Sequence, residues 1–385
     1  MQYRTFGKLD WQPSALGFGA MRLPLIEDDP AKIDEPEATR MIRYAIDHGV
    51  NYVDTAYGYH GGNSERFLGR ALKGGYREKV KLATKMPCWL VETREDFDRY
   101  LNEQLDKLET EHIDFYLLHG LNEDRWRKLR DLGVREWSDK PIADGRIGYL
   151  GFSFHDTYQV FEQIVEEHDW ALCQIQYNYI DVEYQAGTRG LQYAASRGLA
   201  VVIMEPLLGG HLATPPQQIQ AFWNAAAKER TPVDWALQWL WNQPEVSVVL
   251  SGMSTMQHVE ENVASASASA VDMLTADELA LIDRVRETYQ GLRPIPCTQC
   301  RYCMPCPNGV DIPRNFRLYN DGVMYENPER PRLIYGWLSG DDGAGADACM
   351  QCRECEAECP QSIPISEWMP VVHEVLGEGK PYPER

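Results

Sequence analysis

Little in this sequence belongs to a secreted, membrane-spanning or nucleic-acid-binding protein. No segment approaches the ~20 apolar residues that span a bilayer. The longest apolar run, Leu199 to Leu208, is broken by Glu205 and Pro206. The opening MQYRTFGKLDWQPS has no basic head followed by an apolar stretch, so no secretory leader is expected and the expected location is cytoplasmic. Basic residues are scarce: 38 Lys and Arg stand against 58 Asp and Glu, a formal net charge of −20. A phosphate backbone or an anionic membrane surface would be repelled, so neither nucleic acid nor membrane is an expected partner. A Gly-rich dinucleotide fingerprint is also missing. Gly17-Phe18-Gly19 follows the first strand-like run, but Arg22 stands where the third glycine is required. No flavin motif is recognisable.

What is present is a repeating alternation. Apolar, β-branched runs occur at 14–22, 51–55, 80–85, 113–119, 147–153, 171–177, 200–205 and 246–252. Amphipathic stretches that read as helices follow them, at 37–47, 64–73, 94–108, 157–168, 188–197, 232–241 and 256–266. Thr93, Thr231-Pro232 and the capping box Thr275-Ala276-Asp277-Glu278 mark helix starts, and Gly49, Gly75 and Gly198 mark stops. Strict β–α alternation implies a parallel sheet. Eight units in roughly 270 residues suit a closed (β/α)8 TIM barrel. An open doubly wound sheet is the alternative, and it lacks its fingerprint.

After a helix at 275–289 the composition shifts. Proline and cysteine rise and periodicity fades, so a boundary is expected near 291, with a barrel over 1–290 and a small, mainly helical ferredoxin-like domain over 291–385. Residues 326–347, rich in Gly, Pro and Asp, read as a long connection.

Four polar residues fall at or just past barrel strand ends: Asp54, Lys85, His119 and, in the loop YGYHGG, Tyr59. In a barrel these ends form the functional rim. The set suits carbonyl reduction. Hydride arriving at a carbonyl carbon leaves an alkoxide that needs a proton. A tyrosine can supply it if a nearby ammonium pulls its pKa down, an aspartate holds the lysine, and a histidine orients the carbonyl oxygen. Taken singly, each is more often a structural ion pair or a satisfied buried imidazole.

The phrases YRTFG, SALGFGAMRLP, GVNYVDTAYGY, SERFLGRAL, KVKLATK, IDFYLLHG, IGYLGFSFH and SGMSTMQHVEENV are similar to those of the aldo-keto reductase superfamily. The resemblance implies a (β/α)8 barrel, an NADP(H) or NAD(H) cofactor and a small-molecule carbonyl substrate. It makes Asp54, Tyr59, Lys85 and His119 the catalytic tetrad. It implies cofactor contacts at Gly19, Ala20, Met21 and Ser254, carboxamide contacts at Ser153 and Gln174, Met204 where an aromatic residue often stacks, and adenine contacts at Glu261 and Asn262. The basic residues that hold the 2′-phosphate in many members are replaced by Gly252 and His258. Phe154 stands where an asparagine often follows the serine.

Ten cysteines are present, eight of them in two windows. The second, Cys349-x2-Cys352-x2-Cys355-x3-Cys359-Pro360, has bacterial ferredoxin spacing, in which the fourth thiolate serves the other cluster. The first, Cys297-x2-Cys300-x2-Cys303-x2-Cys306-Pro307, is one residue shorter in its last gap. Two 4Fe–4S clusters are expected. Cross-ligation would give one Cys297, Cys300, Cys303 and Cys359, and the other Cys349, Cys352, Cys355 and Cys306. Zinc, held by four thiolates, is the alternative. Some aldo-keto reductases carry a similar C-terminal extension. Cys88 and Cys173 read as buried apolar residues.

Three functions fit: a carbonyl reductase with structural or sensing clusters, an electron-transfer enzyme serving a redox partner protein, or a non-catalytic nicotinamide-sensing subunit. The intact tetrad favours the first two. Specificity is expected in rim loops around Tyr57, His60, Trp89 and 207–230.

Overall fold

A computed structural model describes residues 1–340 and 343–383. The chain forms two compact units, Met1–Leu212 with Val233–Leu279, and Ala213–Pro232 with Ala280–Arg385.

The first unit is built on eight parallel strands: β1 (Leu16–Gly19), β2 (Tyr52–Asp54), β3 (Lys81–Met86), β4 (Ile113–Leu121), β5 (Ile147–Phe154), β6 (Leu172–Gln176), β7 (Ala200–Met204) and β8 (Val246–Ser251). Each pairs with the next, and β8 pairs with β1, closing the barrel. The open-sheet alternative is thereby excluded. β-Branched and apolar residues dominate the strands because a strand inside a ring of helices is buried on both faces. Every residue of β1, β2 and β8 is buried.

One end of the barrel is plugged. The N-terminal segment turns back through the Phe6–Leu9 bridge, and Phe6 packs 4.9 Å from Phe115 and 5.2 Å from Trp11, ring centre to ring centre. Tyr52, Leu172, Val202 and Val248 belong to the same cluster. Gly7 sits at φ +54°, where a Cβ would lie 2.5 Å from the backbone of Gly198 and Ala200, so only glycine fits. The plug occupies the end where strands begin and leaves the other end for chemistry.

Helices alternate with the strands as expected, with ends shifted by a few residues. The Thr275–Glu278 capping box forms both reciprocal bonds, at 2.9 and 3.2 Å. Gly49 and Gly198 have positive φ just past helix ends, whereas Gly75, also at positive φ, lies in a turn four residues beyond the helix that ends at Ala71. Thr93 is not a side-chain cap. Instead Asp96 reaches back and accepts from the backbone N–H of Glu92 and Thr93, at 2.7 and 2.9 Å. Two further helices, Glu123–Asp131 and Val134–Ala143, follow β4. The first buries only Trp126 and Leu129, too few apolar residues to leave a periodic signal.

The second unit is mainly helical. Helices Ile312–Met324, Glu329–Gly340 and Ile365–Leu376 enclose a core that includes Ile295, Phe316, Tyr319, Leu338, Met369 and Val372. The expected connection over 326–347 is corrected here, because most of it is the helix Glu329–Gly340. Its proline, Pro331, lies in the first turn, where a missing N–H costs nothing, so the Pro-rich composition misled. Among the described residues no helix is long and apolar enough to cross a membrane.

Candidate active site

The four expected residues converge at the open end of the barrel. Asp54 ends β2 and pairs in register with Ala83 of β3. Lys85, two residues further along β3, points its Nζ at Asp54 Oδ1 (2.6 Å), the Thr55 carbonyl (2.7 Å) and the Tyr59 hydroxyl (3.5 Å). Lys85 is 0 % exposed and Asp54 2 %. The rings of Tyr59 and His119 stand nearly perpendicular, 6.1 Å apart.

His119 reaches the mouth through an irregularity. The β4–β5 register shifts between Leu118 and Leu121, a bulge of the kind that re-aims side chains at functional sites. Its two freed N–H groups are both satisfied. His119 N–H donates to Cys88 Sγ at 3.1 Å, and Gly120 N–H donates to Ser153 Oγ at 2.7 Å. Cys88 is buried as expected, but its role as acceptor behind His119 left no trace in the sequence. Trp89 covers the His119 ring at 5.2 Å.

β3 outruns β2, whose last pairing is with Ala83, so the Lys85 carbonyl has no strand partner there. Gln104 Nε2 supplies one at 3.1 Å. Gln104 is held in turn by Tyr116 (2.8 Å) and by Glu65, a carboxylate with 0 % exposure. Neither Gln104 nor Glu65 carries a signal in the sequence that marks it as part of the site. Of the expected rim residues, Tyr57 donates to Glu103 at 3.0 Å, and His60 bonds Leu23 N–H and the Pro30 carbonyl.

Burial and charge set the protonation states. Burial pushes the Tyr59 phenol up and the Lys85 ammonium pulls it down; burial wins. This corrects the expectation of a lowered phenol, and it keeps the proton on the oxygen. Burial opposes the Lys85 charge, but Asp54 and Tyr59 outweigh it and its pKa rises. Burial also raises Asp54, against the pull of Lys85. His119 falls well below its ordinary value, through burial first and then Lys85, His155 and Arg125, so its imidazole is neutral near pH 7.

The residues implied as cofactor contacts lie on β1, β5, β6 and β7 or in the segments that follow β1 and β8. Ser153 and Gln174 are register partners on β5 and β6. Gln174 Nε2 faces Met204 Sδ at 3.7 Å, while its Oε1 is buried without a partner. Ser153 already accepts from Gly120, so its hydroxyl hydrogen is the group left to give. An unpaired acceptor beside a hydroxyl donor matches the NH2 and C=O of a carboxamide, so the residues fit a nicotinamide. Gly19 closes β1 opposite Asp54, and Ala20 N–H donates to the Asp54 carbonyl at 2.8 Å. Met21 is half exposed. Gly252 packs under the Arg22 stem, and Ser254 donates to the Arg22 carbonyl at 2.9 Å. Among the helix residues, His258 N–H bonds the capping Thr255, Glu261 accepts from Gln257, and Asn262 is buried on Ser251.

In the second unit Cys297, Cys300, Cys303 and Cys359 line one cavity. Cys355 lies near Cys306, Cys349 and Cys352. The windows fold alike. Gln299 N–H donates to Cys297 Sγ and Gln351 N–H to Cys349 Sγ, both at 3.4 Å. Gln299, Arg301, Gln351 and Arg353 all take positive φ, which wraps each loop around its sulfurs. Among the described residues no three His, Cys, Asp or Glu side chains close on the spacing of a single metal ion. The donor set, eight clustered thiols of which Cys297 and Cys349 accept N–H···S bonds, fits iron–sulfur chemistry.

A parallel eight-stranded barrel with a buried Lys–Asp–Tyr–His group at the ends of its strands defines the class: a TIM-barrel protein with a polar site at its mouth. The chain belongs to the aldo/keto reductase family, whose sequence model matches residues 15–287. A 4Fe-4S dicluster domain model matches residues 296–363. The chain is 27% identical over 232 residues to the uncharacterized oxidoreductase YrpG of Bacillus subtilis, covering 55% of this chain and 68% of that protein. It is 24% identical over 317 residues to L-galactose dehydrogenase of Arabidopsis thaliana, covering 76% and 96%. Among solved structures it is similar to the holo form of aldo-keto reductase AKR11C1 from Bacillus halodurans, with TM-score 0.63 and 26% identity over 74% of this chain and 96% of that one.

Proposed function

We propose that residues 1–290 form an NAD(P)H-dependent carbonyl reductase domain and residues 291–385 hold two 4Fe–4S clusters. The observation that carries the first part is the buried Lys85 ammonium, 2.6 Å from Asp54 and 3.5 Å from the Tyr59 hydroxyl.

A bound nicotinamide supplies hydride to an aldehyde or ketone carbon. Ser153 and Gln174 would hold its carboxamide, and Met204 offers a polarizable sulfur beside Gln174. Tyr59, kept protonated by burial, gives its proton to the carbonyl oxygen as negative charge develops there. Lys85 stabilises the phenolate left behind, and Asp54 keeps Lys85 charged and in place. Neutral His119 donates a hydrogen bond to the same oxygen and orients it. The missing charge at Gly252 and His258 is compatible with either NADPH or NADH.

Cross-ligation is the arrangement favoured for the clusters, since Cys359 shares its cavity with the first window and Cys306 lies near the second. Their role is structural or electron-transferring. Nicotinamide passes two electrons and a cluster one. Reduced cofactor that bleaches the cluster absorbance would favour the electron-transfer reading with a partner protein.

The test is cofactor oxidation by anaerobically purified protein against a panel of aldehydes and ketones. Tyr59→Phe should lower kcat by about 10²–10⁴, the usual worth of a general acid. Unchanged turnover would end the proposal.

A further inference from the structure

We propose that Arg125 and His155 form an anion-recognition subsite at the barrel mouth, so that the carbonyl substrate carries a carboxylate. This rests on the reductase reading above and narrows its substrate class to aldehyde or keto acids.

Gly120 follows His119 in the β4 bulge and sits at φ +65°. A Cβ placed there would lie 3.1 Å from Arg125 Nη1 and 3.9 Å from His155 Cδ2. A guanidinium and an imidazole therefore close over the same point of backbone, next to the residue that faces the carbonyl. A side chain at position 120 would crowd the guanidinium, so the glycine is what lets Arg125 lie against the backbone here.

Arg125 stands in the first turn of helix Glu123–Asp131, its own N–H held by Asn122 Oδ1 at 2.8 Å. Its Nη1 donates to the Gly120 carbonyl at 2.8 Å. Among the described residues no carboxylate pairs with it. The nearby acids are engaged elsewhere: Asp156 accepts from the N–H groups of Glu123 (3.0 Å) and Thr157 (2.7 Å), and Asp124 pairs with Arg127. A guanidinium carries five N–H donors, so most of its capacity is unspent.

The field at the mouth agrees with this geometry. Lys85, His155 and Arg125 all add to burial in holding His119 neutral, and Arg125 is also felt at Cys88. Two cationic groups, Lys85 and Arg125, thus stand near His119 in a chain whose net charge is −20. A carboxylate entering there gains a planar, charge-assisted partner in Arg125, and a neutral aldehyde of the same shape does not.

The probes are 4-formylbenzoate and its methyl ester, which share ring and aldehyde and differ in charge. Binding of each to the anaerobically purified full chain is read by calorimetry, and turnover by NADPH and NADH oxidation. The acid should be favoured by at least about tenfold in both, the worth of one partly buried charge-assisted pair. Arg125→Gln should collapse that ratio, and Arg125→Lys should retain part of it. Equal treatment of acid and ester, or a ratio that survives Arg125→Gln, overturns the subsite even where both aldehydes are reduced. An Arg125-dependent preference in binding without cofactor oxidation upholds the subsite and removes the reductase reading.

Discussion

Lys85→Met removes the charge at the centre of the proposed site while keeping the length of the side chain. Lys85 is 0 % exposed and Asp54 2 %, with Nζ and Oδ1 2.6 Å apart. Asp54 Oδ2 has no other partner. The variant therefore leaves a carboxylate in the interior with nothing to compensate it. Breaking a buried pair from one side costs about 3–5 kcal/mol. In a unit of this size each kcal/mol moves Tm by about 2–4 °C, so the barrel should melt about 6–20 °C lower. Removing both charges should be far milder, and Asp54→Asn/Lys85→Met should recover most of the loss. The deficit should also depend on pH. Burial pushes Asp54 up, so in Lys85→Met the acid escapes part of the cost by taking a proton, and the difference from wild type should shrink as the pH falls. The assay is thermal unfolding by far-ultraviolet circular dichroism across a pH series. A Lys85→Met protein that melts with the wild type, or a double variant that melts as low as the single, refutes the reasoning.

Because the His119 pKa is lowered in the folded protein, the unfolded chain takes up a proton near pH 6.5 that the folded one refuses. Stability should therefore fall as pH drops below about 6.5, and His119→Gln should flatten that slope; identical acid-side profiles by denaturant titration would contradict it. Cys88→Ala strands the His119 N–H and should cost about 1–3 kcal/mol in urea unfolding, with a loss under about 0.5 kcal/mol counting against the bulge account. Cys300→Ala/Cys359→Ala should retain about half of the iron and sulfide if the two thiolates serve one cluster, and lose nearly all if each window fills its own.

Much of the fold was legible because its determinants are local. Each strand is a short apolar run bounded by turn residues, and eight of them at this spacing leave little choice but a closed barrel. Asp54, Lys85 and His119 are visible because they are polar residues at the ends of such runs. The helix Glu123–Asp131 was hidden by its few buried positions, and Glu329–Gly340 by its proline and glycines.

What the residue order settled alone is the barrel, the four polar groups at its mouth, and two cysteine windows with cluster spacing. These depend on periodicity and spacing, which the linear chain carries in full. Only tertiary structure decided how those groups are held and charged. Cys88 meets His119 across 31 positions, Ser153 meets Gly120 across 33, and Gln104 reaches the Lys85 carbonyl across 19. Burial, which no single residue carries, raised the Tyr59 phenol where its neighbour alone would have lowered it. Arg125 and His155 came together over Gly120 because adjacent strands lie side by side in space, whatever the length of chain between them.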